Sequence, residues 1–274
     1  GPGFPGWHME CSAMAEKYLG KTFDIHGGGM DLMFPHHEAE IAQSNACNDC
    51  MPVNYWMHNN MITIDGKKMG KSLGNFINLE QFFTGKHEKL EKAFDPMTIR
   101  FFILQAHYRS TLDFGNDALK AAEKGLAKLS DAVETLNSLT PSKKSSFDVR
   151  KLEKKCFDAL NDDFNTPILI AHLFEGVKQI NLAKNNKAEF KHEDLEILKS
   201  IFKVFANNVL GLTTKQENSS NDFTNEIMEV ILRLRNHVKS NKDFVTADLI
   251  RDELDKVGIQ IKDTREGSSW ESKG

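Results

Sequence analysis

The chain has 274 residues, with 35 Lys and Arg against 39 Asp and Glu, a net charge of −4, and 40% hydrophobic residues. That length accommodates two or three domains with a substantial core, and the charge balance excludes a globally basic nucleic-acid binder, so any polyanion contact has to be local. No apolar run approaches membrane length and no secretory leader is recognisable, which excludes a membrane-spanning helix and makes the cytoplasm the expected compartment.

The segment Trp7-His8-Met9-Glu10-Cys11-Ser12-Ala13-Met14-Ala15 reads as a helix start. Thr22-Phe23-Asp24-Ile25 reads as a short strand, followed by His26-Gly27-Gly28-Gly29-Met30-Asp31. Successive glycines let a flat group lie on the backbone, and Asp31 can accept hydrogen bonds from ribose hydroxyls; a plain glycine turn fits the same string. Pro35-His36-His37-Glu38-Ala39-Glu40-Ile41-Ala42-Gln43 reads as a helix with Pro35 in its first turn. His36 and Glu40 are four apart and share a face, while His37 is three from Glu40, so spacing leaves the choice of histidine open. Thiolate from Cys11, imidazole and carboxylate together suit Zn²⁺, although such residues also cap and pack. Cys47-Asn48-Asp49-Cys50 is a lone Cys-x-x-Cys without a second pair, so free thiols are expected there, and Cys156 reads as helix core.

Tyr55 to Ile64 reads as strand and turn and leads into Lys67-Lys68-Met69-Gly70-Lys71-Ser72-Leu73-Gly74-Asn75. Two lysines three apart on a glycine-bounded loop can close over a polyphosphate and supply charge where it develops during displacement; a solvated basic loop is the plain alternative. A helix begins at Pro96, and His107-Tyr108-Arg109-Ser110-Thr111-Leu112-Asp113-Phe114 breaks it. Arg109 can meet an RNA phosphate or tie two layers together. Leu119, Ala122, Leu126, Leu129, Val133 and Leu136 give residues 116–139 helical periodicity. After the linker Thr140 to Ser146, helix resumes near Val149. Asp162-Asp163-Phe164-Asn165-Thr166-Pro167 predicts a further start, with Thr166 as cap and Pro167 in first position. A helix over Leu195–Leu210 ends at Gly211. A polar stretch, Gln216 to Asp222, precedes a small module with helices over Ile227–Ser240 and Ala247–Val257 and a strand over Gly258–Asp263. Arg233, Arg235, His237, Lys239 and Lys242 give that module local positive charge, and Trp270 can stack on a base or cover the module's end.

The lysine string resembles the Lys-Met-Ser-Lys-Ser signature of class I aminoacyl-tRNA synthetases, with Gly70 in place of the first serine. Gly6 to Met14, Asp24 to Leu32 and Phe34 to Glu40 are similar to cysteinyl-tRNA synthetases, and Asp162 to Pro167 and Asp243 to Leu254 resemble that family's helical-bundle and anticodon-domain sequences. The resemblance implies one zinc ion that binds the thiolate of substrate cysteine, with Cys11, His36 and Glu40 matching three of four protein ligands and Trp7 beside the substrate. It implies ATP held by Gly27, Gly29, Asp31 and Lys71, Mg²⁺ accompanying the ATP, and Lys71 with Lys68 as the catalytic cations. Arg109, Arg233, Arg235 and Trp270 would face tRNA(Cys). A metal that prefers sulfur to oxygen does what pocket shape cannot, since cysteine and serine differ by one atom.

The expected fold is an α/β remnant followed by mostly α structure. Residues 1–60 would form the C-terminal part of a Rossmann-type catalytic domain, 61–115 the lysine-loop and stem-contact region, 116–212 a helical bundle, and 222–270 a small α+β anticodon-binding domain. A doubly wound sheet needs about five strands, more than the first segment offers, and the family's His-Ile-Gly-His signature is not in the chain. The expectation is therefore the C-terminal portion of a longer enzyme that activates L-cysteine with ATP and transfers it to tRNA, inactive without its amino-terminal half. A zinc-dependent cysteine ligase of mycothiol synthesis and a non-catalytic RNA-binding fragment are the alternatives.

Overall fold

The computed structural model describes residues 6–212, 219–241, 243–264 and 267–272. The opening Gly1 to Pro5, part of the polar stretch at 216–218, and Lys242 lie outside them. The chain divides into two compact units, Gly1–Thr214 and Lys215–Gly274.

The first unit opens with α1 (His8–Leu19), β1 (Phe23–Gly29), α2 (Glu38–Asn48) and β2 (Val53–Asn59). β1 and β2 pair in parallel, with His26 opposite Trp56, Gly27 opposite Met57 and Gly28 opposite His58. The glycines therefore extend the strand instead of following it, because β2 satisfies their backbone groups. The helix expected from Pro35 opens with a wider first turn. Met33–His37 forms a wide turn in which Phe34 has extended dihedrals, φ −129° and ψ 130°, and the α-helix proper starts at Glu38. Proline's missing N–H and fixed φ favour that irregular entry. Phe34 is the residue of that turn with non-helical dihedrals, so helical backbone runs from Pro35 into α2 and His36 stays about one turn from Glu40.

Next come β3 (Ile62–Ile64), β4 (Lys67–Lys68), α3 (Leu79–Thr84), α4 (Pro96–Leu104) and β5 (Leu112–Phe114), with sheet order β4-β3-β5. β3 runs antiparallel to β4 and parallel to β5. Asp113 fixes this hairpin, its Oδ1 accepting from Thr63 Oγ1 at 2.6 Å and Gly66 N–H at 2.8 Å. Asn78 and Gln81 form a reciprocal cap on α3, and Asp95 caps α4 through Met97 N–H at 2.7 Å.

The bundle follows as α5 (Asn116–Ser138), α6 (Val149–Asn161), α7 (Thr166–Lys184) and α8 (His192–Ile201), the last continuing into a wide helical turn over Phe202–Val209. Its core gathers Leu119, Leu129, Leu136, Leu152, Leu169, Leu173, Ile180 and Phe205. Cys156 lies fully inside it, and burial pushes its thiol up to about 12. The cap of α7 is Asn165, not Thr166: Asn165 Oδ1 accepts from Ile168 N–H at 3.4 Å. Thr166 Oγ1 donates instead to the Leu104 carbonyl at 2.8 Å, joining α7 to α4.

The second unit contains α9 (Ser219–Ser240), α10 (Phe244–Lys256), β6 (Ile259–Thr264) and β7 (Gly267–Ser272), the strands pairing as an antiparallel hairpin with Trp270 opposite Ile261. Asp243 caps α10 by accepting from Thr246 N–H at 3.1 Å.

Candidate active site

Both candidate segments leave the carboxyl ends of the parallel strands, where open α/β sheets bind their ligands. The turn Met30–His37 follows β1, and the β3–β4 hairpin with its lysine loop follows β2.

At the first segment, parallel register sets His26 beside Trp56, their rings stacked 4.6 Å apart at 20°. Period-2 spacing puts His58 on the same face as Trp56, the two rings 6.1 Å apart and nearly parallel at 6°. His37 packs 4.8 Å from both His26 and Trp56. Its Nδ1 and His58 Nε2 are 2.8 Å apart, so one ring donates and the other accepts. Burial, reinforced by the neighbouring histidines, holds His37 down at about 4, so it is neutral at pH 7.

Glu40 lies 4% exposed beside this cluster, with Oε2 3.4 Å from His26 Nδ1. Burial raises the Glu40 carboxyl and lowers His26, so this contact is not a conventional ion pair. His26 Nδ1, His36 Nδ1 and Trp56 Nε1 are buried without a hydrogen-bond partner. Each such group costs about 1–3 kcal/mol unless a ligand, ion or water satisfies it. Among the described residues, the ligand atoms lying within 4.8 Å of one another belong to His26, His37 and Glu40.

Cys11 and His36 border that set. Burial raises the Cys11 thiol, and the Glu40 and Glu10 carboxylates raise it further, an effect a bound cation would reverse. Trp7 lies over His36 with ring centroids 3.9 Å apart. Helix α1, which carries Cys11, is strapped to α2 by Ser12 Oγ donating to Gln43 Oε1 at 3.1 Å and by Gln43 Nε2 meeting His8 Nδ1 at 2.9 Å. Sulfur, imidazole and carboxylate donors with orphaned nitrogens fit a borderline-soft divalent cation such as Zn²⁺. The structure thus joins Glu40 to His26 and His37 and sets Cys11, His36 and Trp7 alongside. Sequence spacing missed Trp56 and His58; their i,i+2 alternation on a strand was the available signal.

The glycine run lies one strand-end away. A Cβ on Gly27 would meet only the Met57 carbonyl at 3.9 Å, leaving that surface open. A Cβ on Gly28 would come within 2.6 Å of the His37 ring, so only glycine lets that ring pack here.

In the lysine loop, Lys68 and Lys71 are exposed and form no ion pair with any described residue. Lys71 Nζ sits 5.4 Å from the Phe76 ring centroid. The loop turns through Leu73 N–H to Gly70 carbonyl (3.1 Å) and Gly74 N–H to Lys71 carbonyl (3.2 Å), and reverses at Gly74, where φ is +67°. That left-handed angle suits glycine.

Arg109 ties two layers together. Its Nε bonds Tyr108 Oη at 3.0 Å and Asp163 Oδ2 at 2.9 Å, while Tyr108 Oη donates to Asp163 Oδ1 at 2.7 Å. Asp163 and Phe164 both have φ of 54°, a left-handed pair in the α6–α7 connection. Tyr108 is also linked to the end of β2, because Asn60 N–H donates to the Tyr108 carbonyl at 2.9 Å. Arg233 is exposed and Trp270 partly buried. Arg235 corrects the sequence expectation: it is 1% exposed, and its Nε donates to the Ala247 carbonyl at 3.2 Å, joining α9 to α10. A guanidinium spent inside the unit does not reach an RNA phosphate.

Comparison with known proteins gives consistent matches. Residues 1–124 match the family described as tRNA synthetases class I (C) catalytic domain, and residues 156–214 match the DALR domain. The chain is 55% identical to a cysteine–tRNA ligase of Parabacteroides distasonis and 56% identical to one of Bacteroides fragilis, in each case over 98% of this chain and 55% of the relative. A cysteine–tRNA ligase of Chlorobaculum tepidum is 49% identical over 100% of this chain and 55% of its own length. The chain therefore spans about half the length of the curated relatives it matches. Among solved structures, a LeuRS–tRNA–LeuAMS ternary complex from Agrobacterium radiobacter K84 aligns with TM-score 0.51 at 16% identity, over 71% of this chain and 28% of that one, a likeness of fold alone.

Proposed function

We propose that this chain is the C-terminal part of a class I tRNA synthetase that activates L-cysteine with ATP and transfers it to tRNA(Cys), a reading supported by the match of residues 1–124 to that catalytic-domain family and by the identity to cysteine–tRNA ligases. The observation that supports this reading is the donor cluster of Glu40 with His26 and His37, beside which Trp7 lies over His36, whose buried Nδ1 has no partner, and Cys11 feels the Glu40 carboxylate. Cys11, His36 and Glu40 would hold Zn²⁺, with His26 Nδ1 3.4 Å from the Glu40 carboxylate. When bound, the ion supplies a preference for thiolate over hydroxyl and a lowered thiol pKa. Trp7 covers one side of the amino-acid pocket.

Adenosine lies against Gly27 and Gly29, with Asp31 accepting from its ribose hydroxyls, and Mg²⁺ arrives with the ATP phosphates. The cysteine carboxylate oxygen attacks the α-phosphorus, and the bond to pyrophosphate breaks. Lys71, assisted by Lys68, stabilises the charge that develops on the departing phosphates. The terminal ribose hydroxyl of the tRNA then attacks the cysteinyl carbonyl and AMP leaves. No side chain of this chain acts as a covalent nucleophile; positioning and charge do the work. No helix among the described residues is long and apolar enough to cross a membrane, and we place the enzyme in the cytoplasm.

Charging of tRNA with cysteine by the full-length protein tests the reading. Full-length protein is expected to charge, and this chain alone is not. Cysteine activation without transfer to tRNA would favour a ligase with another acceptor, and the absence of both would favour a non-catalytic RNA binder. In the second unit, Arg233 and Arg235 separate by burial. Arg233→Ala is expected to weaken tRNA binding and to flatten its salt dependence by about one unit of slope, leaving the melting temperature unchanged. Arg235→Ala instead costs about 2–4 kcal/mol of stability, through a cavity and an unpaired carbonyl. Salt-dependent binding and thermal unfolding of both variants check this pair.

A further inference from the structure

Asn75 is 8% exposed, one of the few buried polar side chains among the described residues, and its amide faces the lysine loop. Its Nδ2 donates to the Lys68 carbonyl at 3.0 Å, and its Oδ1 accepts from Gly70 N–H at 2.9 Å. The left-handed turn at Gly74 brings residue 75 back against the loop's first residues. One amide therefore closes residues 68–75 into a ring that carries Lys68 and Lys71. The loop is tied to β3 by the pairing of Lys68 with Thr63 and by Met69 N–H donating to the Ile62 carbonyl at 3.4 Å.

The partners fix which way the amide points: a carbonyl needs a donor and an N–H needs an acceptor. Aspartate has the same shape but no N–H for Lys68, and it would set a second oxygen against that carbonyl. Alanine removes both bonds. With the clamp gone, the side-chain bridge between residue 75 and the loop's first residues is lost, and a segment holding Gly66, Gly70 and Gly74 has only its backbone bonds to define where its cations sit.

We propose that Asn75 is a positioning residue for ATP-dependent activation, holding the lysine loop closed so that Lys71 and Lys68 meet the departing phosphates in one defined geometry. This deepens the reading of the loop as the phosphate clasp and rests on it. Asn75 touches no substrate; it acts through the lysines.

The test is cysteine-dependent ATP–pyrophosphate exchange by the full-length enzyme, comparing wild type, Asn75→Asp, Asn75→Ala, Lys71→Ala and the Asn75→Asp/Lys71→Ala double variant. Each Asn75 substitution is expected to lower kcat by about 10- to 100-fold with the KM for cysteine within about twofold. On the Lys71→Ala background, Asn75→Asp is expected to cost less than about threefold, because the cation it positions is already gone. Asn75→Asp at wild-type kcat would overturn the proposal. So would an effect that multiplies in full onto Lys71→Ala, which marks independent structural damage. Wild-type enzyme with no exchange would sink the functional reading itself; wild-type exchange with a Lys71 effect but none from Asn75 would sink only this inference.

Discussion

Lys71→Ala in the full-length protein lowers the maximal rate of cysteine-dependent pyrophosphate exchange by about 10²- to 10³-fold, the usual cost of losing one group aimed at developing transition-state charge. The KM for cysteine stays within about threefold, because the residue acts on the departing phosphates and not on the amino acid. The structural grounds are specific. Lys71 is exposed, forms no ion pair with any described residue, and rests its ammonium 5.4 Å from the Phe76 ring, so its charge is available to a ligand. The loop that carries it is short and closed. Lys71→Arg is expected to recover part of the loss, since charge is kept while the point-like ammonium geometry is not. An unchanged maximal rate in Lys71→Ala would remove this residue from the chemistry.

The second large effect concerns the metal. His36→Ala is expected to remove most of the bound zinc, measured by elemental analysis of purified full-length protein, and with it the discrimination of cysteine from serine. Glu40→Gln is expected to do the same. The structure makes the comparison with His26 and His37 informative, because those two share the tight donor set with Glu40. His37 is buried, neutral and bonded to His58. His26 stacks on Trp56. If they support the site and do not ligate, His26→Ala and His37→Ala keep a substantial share of the metal, with losses of about 10- to 100-fold in affinity of the kind outer partners produce. Full zinc occupancy in His36→Ala, with loss in His26→Ala or His37→Ala, would move the ligand set to His26, His37 and Glu40.

Much of the helical architecture was legible because it rests on local rules. The stripe through Leu119, Leu129 and Leu136 sets α5, and Pro96 behind Asp95 sets the start of α4. Local rules misplace features that tertiary partners decide. Thr166 has the chemistry of a cap, yet the Leu104 carbonyl takes its hydroxyl and Asn165 does the capping. Three glycines read as a turn, yet pairing with Met57, His58 and Asn59 draws them into a strand. Arg235 reads as surface charge, and only the packing of α10 against α9 shows it to be internal. At the candidate site, Cys11, His36 and Glu40 were visible as residue types with suggestive spacing. The aromatic floor of Trp56, His26, His37 and His58 was not, since it exists only when β2 lies parallel to β1 in the observed register. The Asn75 clamp was likewise hidden: nothing in its sequence position says that its amide turns back on Lys68 and Gly70.

Pyrophosphate exchange by the full-length protein with L-cysteine and L-serine side by side tests the central claim most directly. The account predicts exchange with cysteine and, with serine, a kcat/KM lower by at least about 10³-fold, a ratio that a one-atom difference in pocket shape does not provide. Comparable exchange with serine, or no exchange with either amino acid, would contradict it.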